Sequence, residues 1–365
     1  MITKKWMVGA CATAVLSLGV AACGDDSSDS ATASGDASAE NLSGEIAGAG
    51  SSAQEAAQEA WIAGVQDANA DLTVSYDPVG SGGGREQFVA GGVDYAGSDS
   101  PLADEELTGA EENCGGPENL VQIPAYVSPI AVVYNLPGVE SLQLTPELIA
   151  SIFNQDITAW NDPAIAEVNP DVELPETRIT PVNRSDDSGT TNNFTQYLSK
   201  AAPDVWTYPP DDAFPVKGGE SAEGTSGVVE AVGAGEGAIG YADLSQAGDL
   251  GVAKVQVGDT YVDPTPEGAA KDVEISKQST EVGGDKYVFA YDLERTSTDP
   301  STYPIVLVSS LITCTGGDNA ALVKALFEYA VSEEGQQAAA ENAGSAPLTE
   351  ATRSEIQPAV DAIGG

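Results

Sequence analysis

The sequence predicts an α/β fold in two lobes. From residue 45 onward, short β-rich runs alternate with helical stretches, and such alternation is typical of βα units around a mostly parallel sheet. The chain has 365 residues, which is enough for two domains of roughly 150 residues each. Its 40 glycines and 21 prolines supply turns between many short elements.

The predicted elements follow this alternation along the chain. Strands are expected at 72–76, 130–134, 178–182, 238–241, 252–257 and 304–309. Helices are expected at 53–68, 84–91, 145–153, 190–200, 226–233, 319–332 and 333–341. The expected lobes are lobe I, comprising residues 45–122 and 305–365, and lobe II, comprising residues 123–304, with hinges near 121–128 and 301–308.

Composition excludes several classes of function. The chain has no histidine, so it can form no Ser-His-Asp or Cys-His catalytic arrangement and no imidazole pH switch. Its 57 acidic residues against 14 basic ones give a formal charge of −43. Nucleic acids and anionic membrane surfaces are therefore unsuitable partners, because proteins bind phosphate-rich surfaces through clustered lysine and arginine.

The first 23 residues predict export. Two lysines precede an apolar run that ends at Ala22, which is typical of a secretory signal and short for a spanning helix. The junction Val20–Cys23 resembles the bacterial lipobox, in which the cysteine is acylated. We therefore expect residues 1–22 to be a lipoprotein signal peptide and Cys23 to anchor the protein on the outer face of the cytoplasmic membrane. The alternative is an ordinary signal peptide followed by an incidental cysteine.

Residues 23–44 after this junction are mostly Ser, Ala, Gly and Asp. Such a segment cannot bury enough apolar surface to offset the entropy lost on ordering, so we expect a flexible acidic tether. Removal of residues 1–22 takes away two lysines and leaves a charge of −45.

Four cysteines reduce to two in the folded body, since Cys11 leaves with the signal and Cys23 is the candidate for lipid attachment. Cys114 and Cys314 remain, each in glycine-rich surroundings. An even remainder in an exported protein favours one disulfide. The alternative is two unpaired thiols.

Glycine and hydroxyl residues precede three predicted helices, at 48–52, 80–84 and 188–191. A helix start presents unpaired N–H groups and the positive end of the helix dipole, so it favours an anion. Ser52 and Glu55 also have the spacing of a capping box, which predicts Ser52 at the N-cap. One such segment is commonly a simple turn, whereas three indicate an oxyanion site. Residues 80–84 do not continue into Gly-Lys-Ser/Thr, so a nucleotide-binding P-loop is unsupported.

Arg184 lies just before the third of these helix starts. A guanidinium binds two oxygens of a tetrahedral anion in its planar fork, and Asp186 could hold that fork through an ion pair. Arg184 would then supply the positive charge of the site. The alternative is a surface arginine balanced by the neighbouring aspartates.

Several segments together resemble the phosphate-binding proteins of the high-affinity phosphate ABC importer. These segments are GAGSS (48–52), YDPVGSGGGREQFVAGGVDYAGSDSPL (76–102), LTPELIASIFNQDITAWNDPAI (144–165), RSDDSGTT (184–191) and GAIGYADL (237–244). The resemblance implies a two-lobed periplasmic-binding-protein-like fold with a ligand cleft between the lobes. It also implies a monomer without cofactor or metal that binds inorganic phosphate, delivers it to the permease subunits of the importer and is not an enzyme.

The resemblance also implies which residues bind phosphate. By position they are Ser52, Ala53, Ser81, Asp99, Arg184, Ser188, Gly189 and Thr190, with Asp186 supporting the arginine. Ala53 departs from the usual aromatic residue, and Asp187 departs from the usual small residue. Asp99 is the basis of a selectivity hypothesis, because hydrogen phosphate can donate a hydrogen bond to a carboxylate whereas sulfate has no proton with which to do so.

Other functions stay open on the sequence alone. Arsenate is protonated like phosphate, so it fits the same hypothesis. A phosphate-sensing or adhesion lipoprotein could keep the fold, and the departures at Ala53 and Asp187 leave that interpretation open. A secreted phosphatase or serine hydrolase would lack a histidine base and a metal-ligand cluster.

Overall fold

A computed structural model of the chain describes residues 42–102, 104–279 and 286–365. The predicted signal peptide, the lipid-attachment residue Cys23 and most of the predicted tether lie outside the described residues. No described helix has both the length and the apolar character that crossing a membrane requires.

The described residues form short strands and helices in alternation. The strands are β1 (Ser43–Gly50), β2 (Asp71–Asp77), β3 (Tyr95–Ser98), β4 (Leu120–Tyr134), β5 (Gln143–Leu144), β6 (Thr180–Arg184), β7 (Glu220–Ala222), β8 (Ala238–Asp243), β9 (Gly251–Val252), β10 (Lys254–Val257), β11 (Thr260–Val262), β12 (Lys277–Gln278), β13 (Tyr291–Asp292) and β14 (Val306–Cys314). The helices are α1 (Glu55–Ala68), α2 (Ser81–Val89), α3 (Asp104–Asn113), α4 (Pro146–Phe153), α5 (Pro163–Val168), α6 (Gly189–Ala201), α7 (Gly224–Ala234), α8 (Pro266–Ile275), α9 (Ala320–Val331), α10 (Glu333–Ala343) and α11 (Glu350–Ala362).

The main sheet has the strand order β2-β1-β3-β14-β4-β8-β6-β7, and β9 also pairs with β4. β2, β1 and β3 are parallel at one end, and β8, β6 and β7 are parallel at the other. In the centre, β14 is antiparallel to β3 and β4, and β4 is antiparallel to β8. The prediction of a mostly parallel sheet is therefore wrong in the centre, because periodicity locates strands without fixing their order or direction.

The antiparallel pair β4 and β14 joins the two parallel ends of the sheet, which belong to the two lobes. All 15 residues of β4 are buried. Its first part pairs with β14 and its last part, from Ile130 to Tyr134, pairs with β8. The boundary proposed at residues 122 and 123 lies inside this continuous strand. The boundaries of the lobes and the hinges near 121–128 and 301–308 stay predictions.

The predicted elements coincide with observed ones, with shifts at their ends. α2 begins at Ser81 instead of residue 84, β6 begins two residues later than predicted, and the strand at 252–257 is divided into β9 and β10. The tether boundary at residue 44 is also wrong, because Ser43 and Gly44 already pair with β2.

The two body cysteines are bonded, as the sequence predicts. Cys114 directly follows α3 and Cys314 ends β14, and their Cα atoms are 5.2 Å apart across 200 residues of sequence. The bond therefore fastens an early helix of the chain to the end of a central strand.

Candidate functional site

The candidate site lies at the carboxyl ends of three strands, β1, β3 and β6. β1 and β3 are neighbours in register, so that Gly50 pairs with Gly97 at their carboxyl ends, and β6 ends at Arg184 in the other lobe. Ligands of α/β proteins commonly bind at the carboxyl ends of parallel strands, where the following loops lead into helix starts. Each of these three strands is followed by predicted site residues.

Asp99 directly follows β3 and is only 5% exposed. Its Oδ1 accepts a hydrogen bond of 2.6 Å from Ser309, and its Oδ2 accepts one of 3.0 Å from Thr190. Its backbone N–H donates to Ser81 Oγ at 3.1 Å. Burial raises the pKa of Asp99 above its usual range, and the bonds from Ser309 and Thr190 oppose that rise.

The glycines at and just after the start of α2 pack tightly against β1 and against the segment that follows β6. Gly80 has a φ of +90°, and a Cβ atom there would lie 2.3 Å from Asp186 Oδ2. A Cβ atom on Gly84 would lie 2.4 Å from the Cα atom of Gly50. Glycine at these positions lets α2 begin at Ser81, whose side chain is fully buried beside Asp99.

Arg184 is the last residue of β6 and is 3% exposed. Its Nε donates to Asp186 Oδ1 at 2.8 Å, and a second guanidinium nitrogen bonds to Asp186 Oδ2. Gly224 N–H also donates to Asp186, at 3.0 Å. Burial acts to raise the pKa of Asp186, but Arg184 outweighs it and holds that pKa below its usual range. The predicted ion pair between Arg184 and Asp186 is therefore present.

The start of α6 supplies three further predicted residues. Ser188 is the N-cap, and its Oγ accepts from the N–H of Thr191 at 3.2 Å. A Cβ atom on Gly189 would lie 2.7 Å from Ser81 Oγ and 2.8 Å from Asp99 Cβ. Together with the bond from Thr190 to Asp99, this packing brings the α6 start against β3 and α2.

Ser52 is positioned differently from the prediction. α1 begins at Glu55 with Gln54 at the N-cap, so Ser52 is not the N-cap and the capping box with Glu55 is not formed. Instead, Ser52 Oγ accepts a 3.0 Å bond from Thr225 N–H and lies 3.0 Å from Thr225 Oγ1. The side chain turns toward the other lobe, and the prediction was wrong because it considered only local partners.

The two departures from the family pattern have different surroundings. Ala53 is fully buried, and its N–H donates to Ser51 Oγ at 3.1 Å. Asp187 is exposed, while its carbonyl accepts from Gly82 N–H at 3.0 Å. The extra negative side chain of Asp187 is therefore on the surface beside the site.

Sequence reasoning missed two residues that complete the polar shell. Thr225 lies at the start of α7, after Gly224, so the pattern of glycine and hydroxyl that located the other helix starts could have found it. Ser309 lies in an apolar strand, where a serine among valines and leucines is only a weak signal.

A second buried guanidinium was also missed. Arg85 is 5% exposed and donates to Ser98 Oγ at 2.9 Å and to Ser100 Oγ at 2.7 Å. Its charge is neutralised by Glu106 at 2.8 Å and by Asp212 at 2.6 Å. Arg85 therefore flanks Asp99 as part of a closed ion-pair network, unlike Arg184, which pairs with one carboxylate.

Comparison with known proteins identifies the family. A family model described as a PBP superfamily domain matches residues 29–334. The chain is 35% identical over 300 residues to phosphate-binding protein PstS 3 of Mycobacterium leprae, covering 80% of this chain and 79% of that protein. It is 32% identical over 356 residues to PstS2 of Mycobacterium bovis, covering 94% of each. This chain belongs to the PstS family of phosphate-binding proteins.

Solved structures confirm the two-lobed α/β fold. A high-affinity periplasmic phosphate-binding protein (PfluDING), solved with phosphate, aligns with a TM-score of 0.68 and 23% identity over 86% of this chain and 93% of that one. A phosphate ABC transporter substrate-binding protein from Clostridium perfringens, with bound phosphate, aligns with a TM-score of 0.58 and 18% identity over 82% of this chain and 98% of that one.

The arrangement as a whole is suited to a tetrahedral anion. The starts of α2 and α6 and the guanidinium of Arg184 supply donors, and Asp99 supplies one buried acceptor among them. Among the described residues, no group of His, Cys, Asp or Glu side chains is arranged to hold a metal ion.

Proposed function

We propose that this PstS-family protein captures inorganic phosphate in the cleft between its lobes and delivers it to the permease of an ABC importer. The observation that carries the proposal is the buried carboxylate of Asp99 in an otherwise donor-rich site. This carboxylate accepts from Thr190 at the start of α6, and the backbone N–H of Asp99 donates to Ser81 at the start of α2. A carboxylate accepts a hydrogen bond from the O–H group of hydrogen phosphate and repels a fully deprotonated anion of the same shape.

Phosphate would bind through Ser52, Ala53, Ser81, Asp99, Arg184, Ser188, Gly189 and Thr190. The negative charge of the protein repels phosphate at long range, so affinity must come from short hydrogen bonds in a site that excludes water. Each bond to a charged group contributes about 1.5–3 kcal/mol. Closure of the lobes around the anion would assemble these donors and create the form that the permease recognises.

We propose a binding protein, without enzymatic activity, that acts as a monomer outside the cytoplasm. Cleavage before Cys23 and acylation of that cysteine would anchor it to the outer face of the cytoplasmic membrane. Labelling of the wild-type protein by fatty acid, and its loss in Cys23→Ala, would support the anchor.

The function is tested by calorimetric titration of the purified protein, stripped of bound anion, at fixed salt and pH. We expect one phosphate per chain and no heat from sulfate. Arsenate binding as tight as that of phosphate would widen the ligand class to protonated oxyanions. Absence of binding by any of the three anions would contradict the proposal and favour a sensing or adhesion role.

A further inference from the structure

The side chain of Asn193 links the two lobes beside the candidate site. Asn193 lies in α6 and is 6% exposed. Its Nδ2 donates to the carbonyl of Asp99 at 2.8 Å and to the carbonyl of Gly189 at 2.9 Å. Asp99 follows β3 in one lobe and Gly189 begins α6 in the other, so one amide group bonds both backbones that frame the site.

Arg295 fixes the orientation of that amide. One guanidinium nitrogen of Arg295 donates to Asn193 Oδ1 at 2.6 Å. Because arginine can only donate, the amide oxygen must face Arg295 and the amide N–H groups must face the two carbonyls. Rotation of the amide by half a turn would place N–H groups against the guanidinium.

Arg295 is itself anchored to the chain segment that enters the central strand β14. It donates to the carbonyl of Pro304 at 2.9 Å and to that of Val306 at 2.7 Å, and its Nε donates to Gln196 in α6 at 2.9 Å. These carbonyls lie within residues 301–308, which the sequence predicts as a hinge. The guanidinium therefore joins the predicted hinge to α6.

Among the described residues, no carboxylate forms a contact ion pair with Arg295. The residue is 2% exposed, and Asp272 acts on it electrostatically without forming a hydrogen bond or a close ion pair. A buried arginine that bonds mainly to carbonyls and amides is costly for the fold. A role in positioning the groups of the binding site would explain why the protein keeps a buried charge at this cost.

We propose that Arg295 and Asn193 are positioning residues that couple the hinge to the phosphate site. In the closed form, Arg295 holds the Asn193 amide so that it bonds Asp99 and Gly189 together, which sets the distance between the Asp99 carboxylate and the α6 start. Opening of the lobes breaks the bond to Asp99 while the bond to Gly189, within α6, persists. This inference rests on the proposed binding of phosphate at that site.

Asn193→Asp is the most informative variant. It keeps an oxygen for Arg295 but places a second oxygen against two carbonyls. Asn192→Asp is a matched control, because it makes the same change of charge one residue earlier in α6. We expect Asn193→Asp to increase the phosphate dissociation rate at least about 10-fold more than the control. Small-angle scattering at saturating phosphate should also show a larger radius of gyration for Asn193→Asp than for the control.

A cycle with Arg295→Lys separates positioning from simple loss of stability. If Arg295 acts through Asn193, the double variant Asn193→Ala/Arg295→Lys should release phosphate no faster than Asn193→Ala alone. Additive effects of the two substitutions would overturn the proposal. If Asn193→Asp does not fold, Asn193→Ala alone carries the test, and a release rate equal to that of the wild type would overturn the proposal.

The outcomes also separate this inference from the proposed function. Tight phosphate binding by the wild type, with unchanged release and closure in the Asn193 variants, would overturn the coupling alone. Absence of phosphate binding by the wild type would overturn the coupling and the proposed function together.

Discussion

Thr190 donates a 3.0 Å hydrogen bond to the carboxylate of Asp99, although 91 residues separate them in the sequence. The bond joins the start of α6 in one lobe to the end of β3 in the other. A carboxylate that faces a helix start is unusual in an anion site, because it repels any anion that has no proton with which to donate a hydrogen bond. Under the proposed function, this pair would favour closure of the cleft and select a protonated anion.

Replacement of Asp99 by asparagine should reduce discrimination against sulfate. The amide cannot repel a deprotonated anion, and its NH₂ group can donate to one. Since an unpaired buried acceptor costs about 1–3 kcal/mol, the ratio of the sulfate Kd to the phosphate Kd should fall by roughly 5- to 150-fold. Calorimetric titration with both anions measures that ratio. Asp187→Asn is the control, because it makes the same change of charge at an exposed position beside the site. An equal effect of the two variants would rule out a specific role for Asp99.

Replacement of Arg184 by lysine should weaken phosphate binding while the fold remains. Lysine keeps the charge but loses the fork that bonds both oxygens of Asp186, so we expect the Kd for phosphate to rise at least about 10-fold. Arg178→Lys is the control, because Arg178 is exposed and lies just before the same strand. Unchanged affinity in Arg184→Lys would remove the guanidinium from the site.

Removal of the Ser309 hydroxyl should also weaken phosphate binding. Ser309 donates to Asp99 at 2.6 Å and accepts from Gln54 at 2.7 Å, so Ser309→Ala leaves two buried groups short of a partner. We expect an increase of about 5- to 100-fold in the Kd for phosphate. The adjacent variant Ser310→Ala should have little effect, and equal effects of the two serines would argue against support of Asp99 by Ser309.

The sequence could predict the parts of the site that depend on local pattern. Ser188, Gly189 and Thr190 were found because a glycine and hydroxyl pattern at a helix start is contiguous. The pairing of Arg184 with Asp186 was found because the two residues lie close together in the chain. Asp99 was found only through the family resemblance, since an aspartate after a four-residue strand has no local signature.

The remaining features depend on partners that are distant in the sequence. Ser52 bonds to Thr225 across 173 residues, and neither residue indicates the other. β14 lies between β3 and β4 and is antiparallel to both. Its position and direction depend on tertiary contacts, which the local sequence pattern does not show. The coupling of Asn193 to Arg295 spans 102 residues and has no counterpart in periodicity or composition.

The disulfide should stabilise the protein without contributing to the site. Its cysteines lie beside α3 and at the end of β14, and they make no contact with the predicted binding residues among the contacts described above. The double variant Cys114→Ser/Cys314→Ser should lower the free energy of unfolding by about 2–5 kcal/mol. Urea unfolding measures this loss, and calorimetry should give an unchanged Kd for phosphate. A large loss of affinity in a folded double variant would contradict the assignment.

Asp272 should make stability depend on pH. The side chain is fully buried, and burial raises its pKa to about 7, whereas the unfolded carboxyl has a pKa of about 3.9. At a pH between these two pKa values, Asp272 is protonated in the folded protein and loses its proton on unfolding. The contribution of Asp272 to the free energy of unfolding therefore falls as pH rises from about 4 to about 7, by at most about 1.4 kcal/mol per pH unit.

Asp272→Asn should therefore flatten the dependence of unfolding free energy on pH in this window. Urea unfolding at several pH values measures the dependence, and Asp259→Asn, at an exposed position, is the control. A slope equal to that of the wild type would show that Asp272 does not retain its proton in the folded protein.

The central claim is that phosphate binds between Arg184 and Asp99, and a crystal structure of the phosphate complex tests it most directly. We predict one phosphate with oxygens within hydrogen-bond distance of the Arg184 guanidinium, the Asp99 carboxylate and the N–H and hydroxyl groups at the starts of α2 and α6. Phosphate bound at another place in the protein, with this site free of it, would contradict the account.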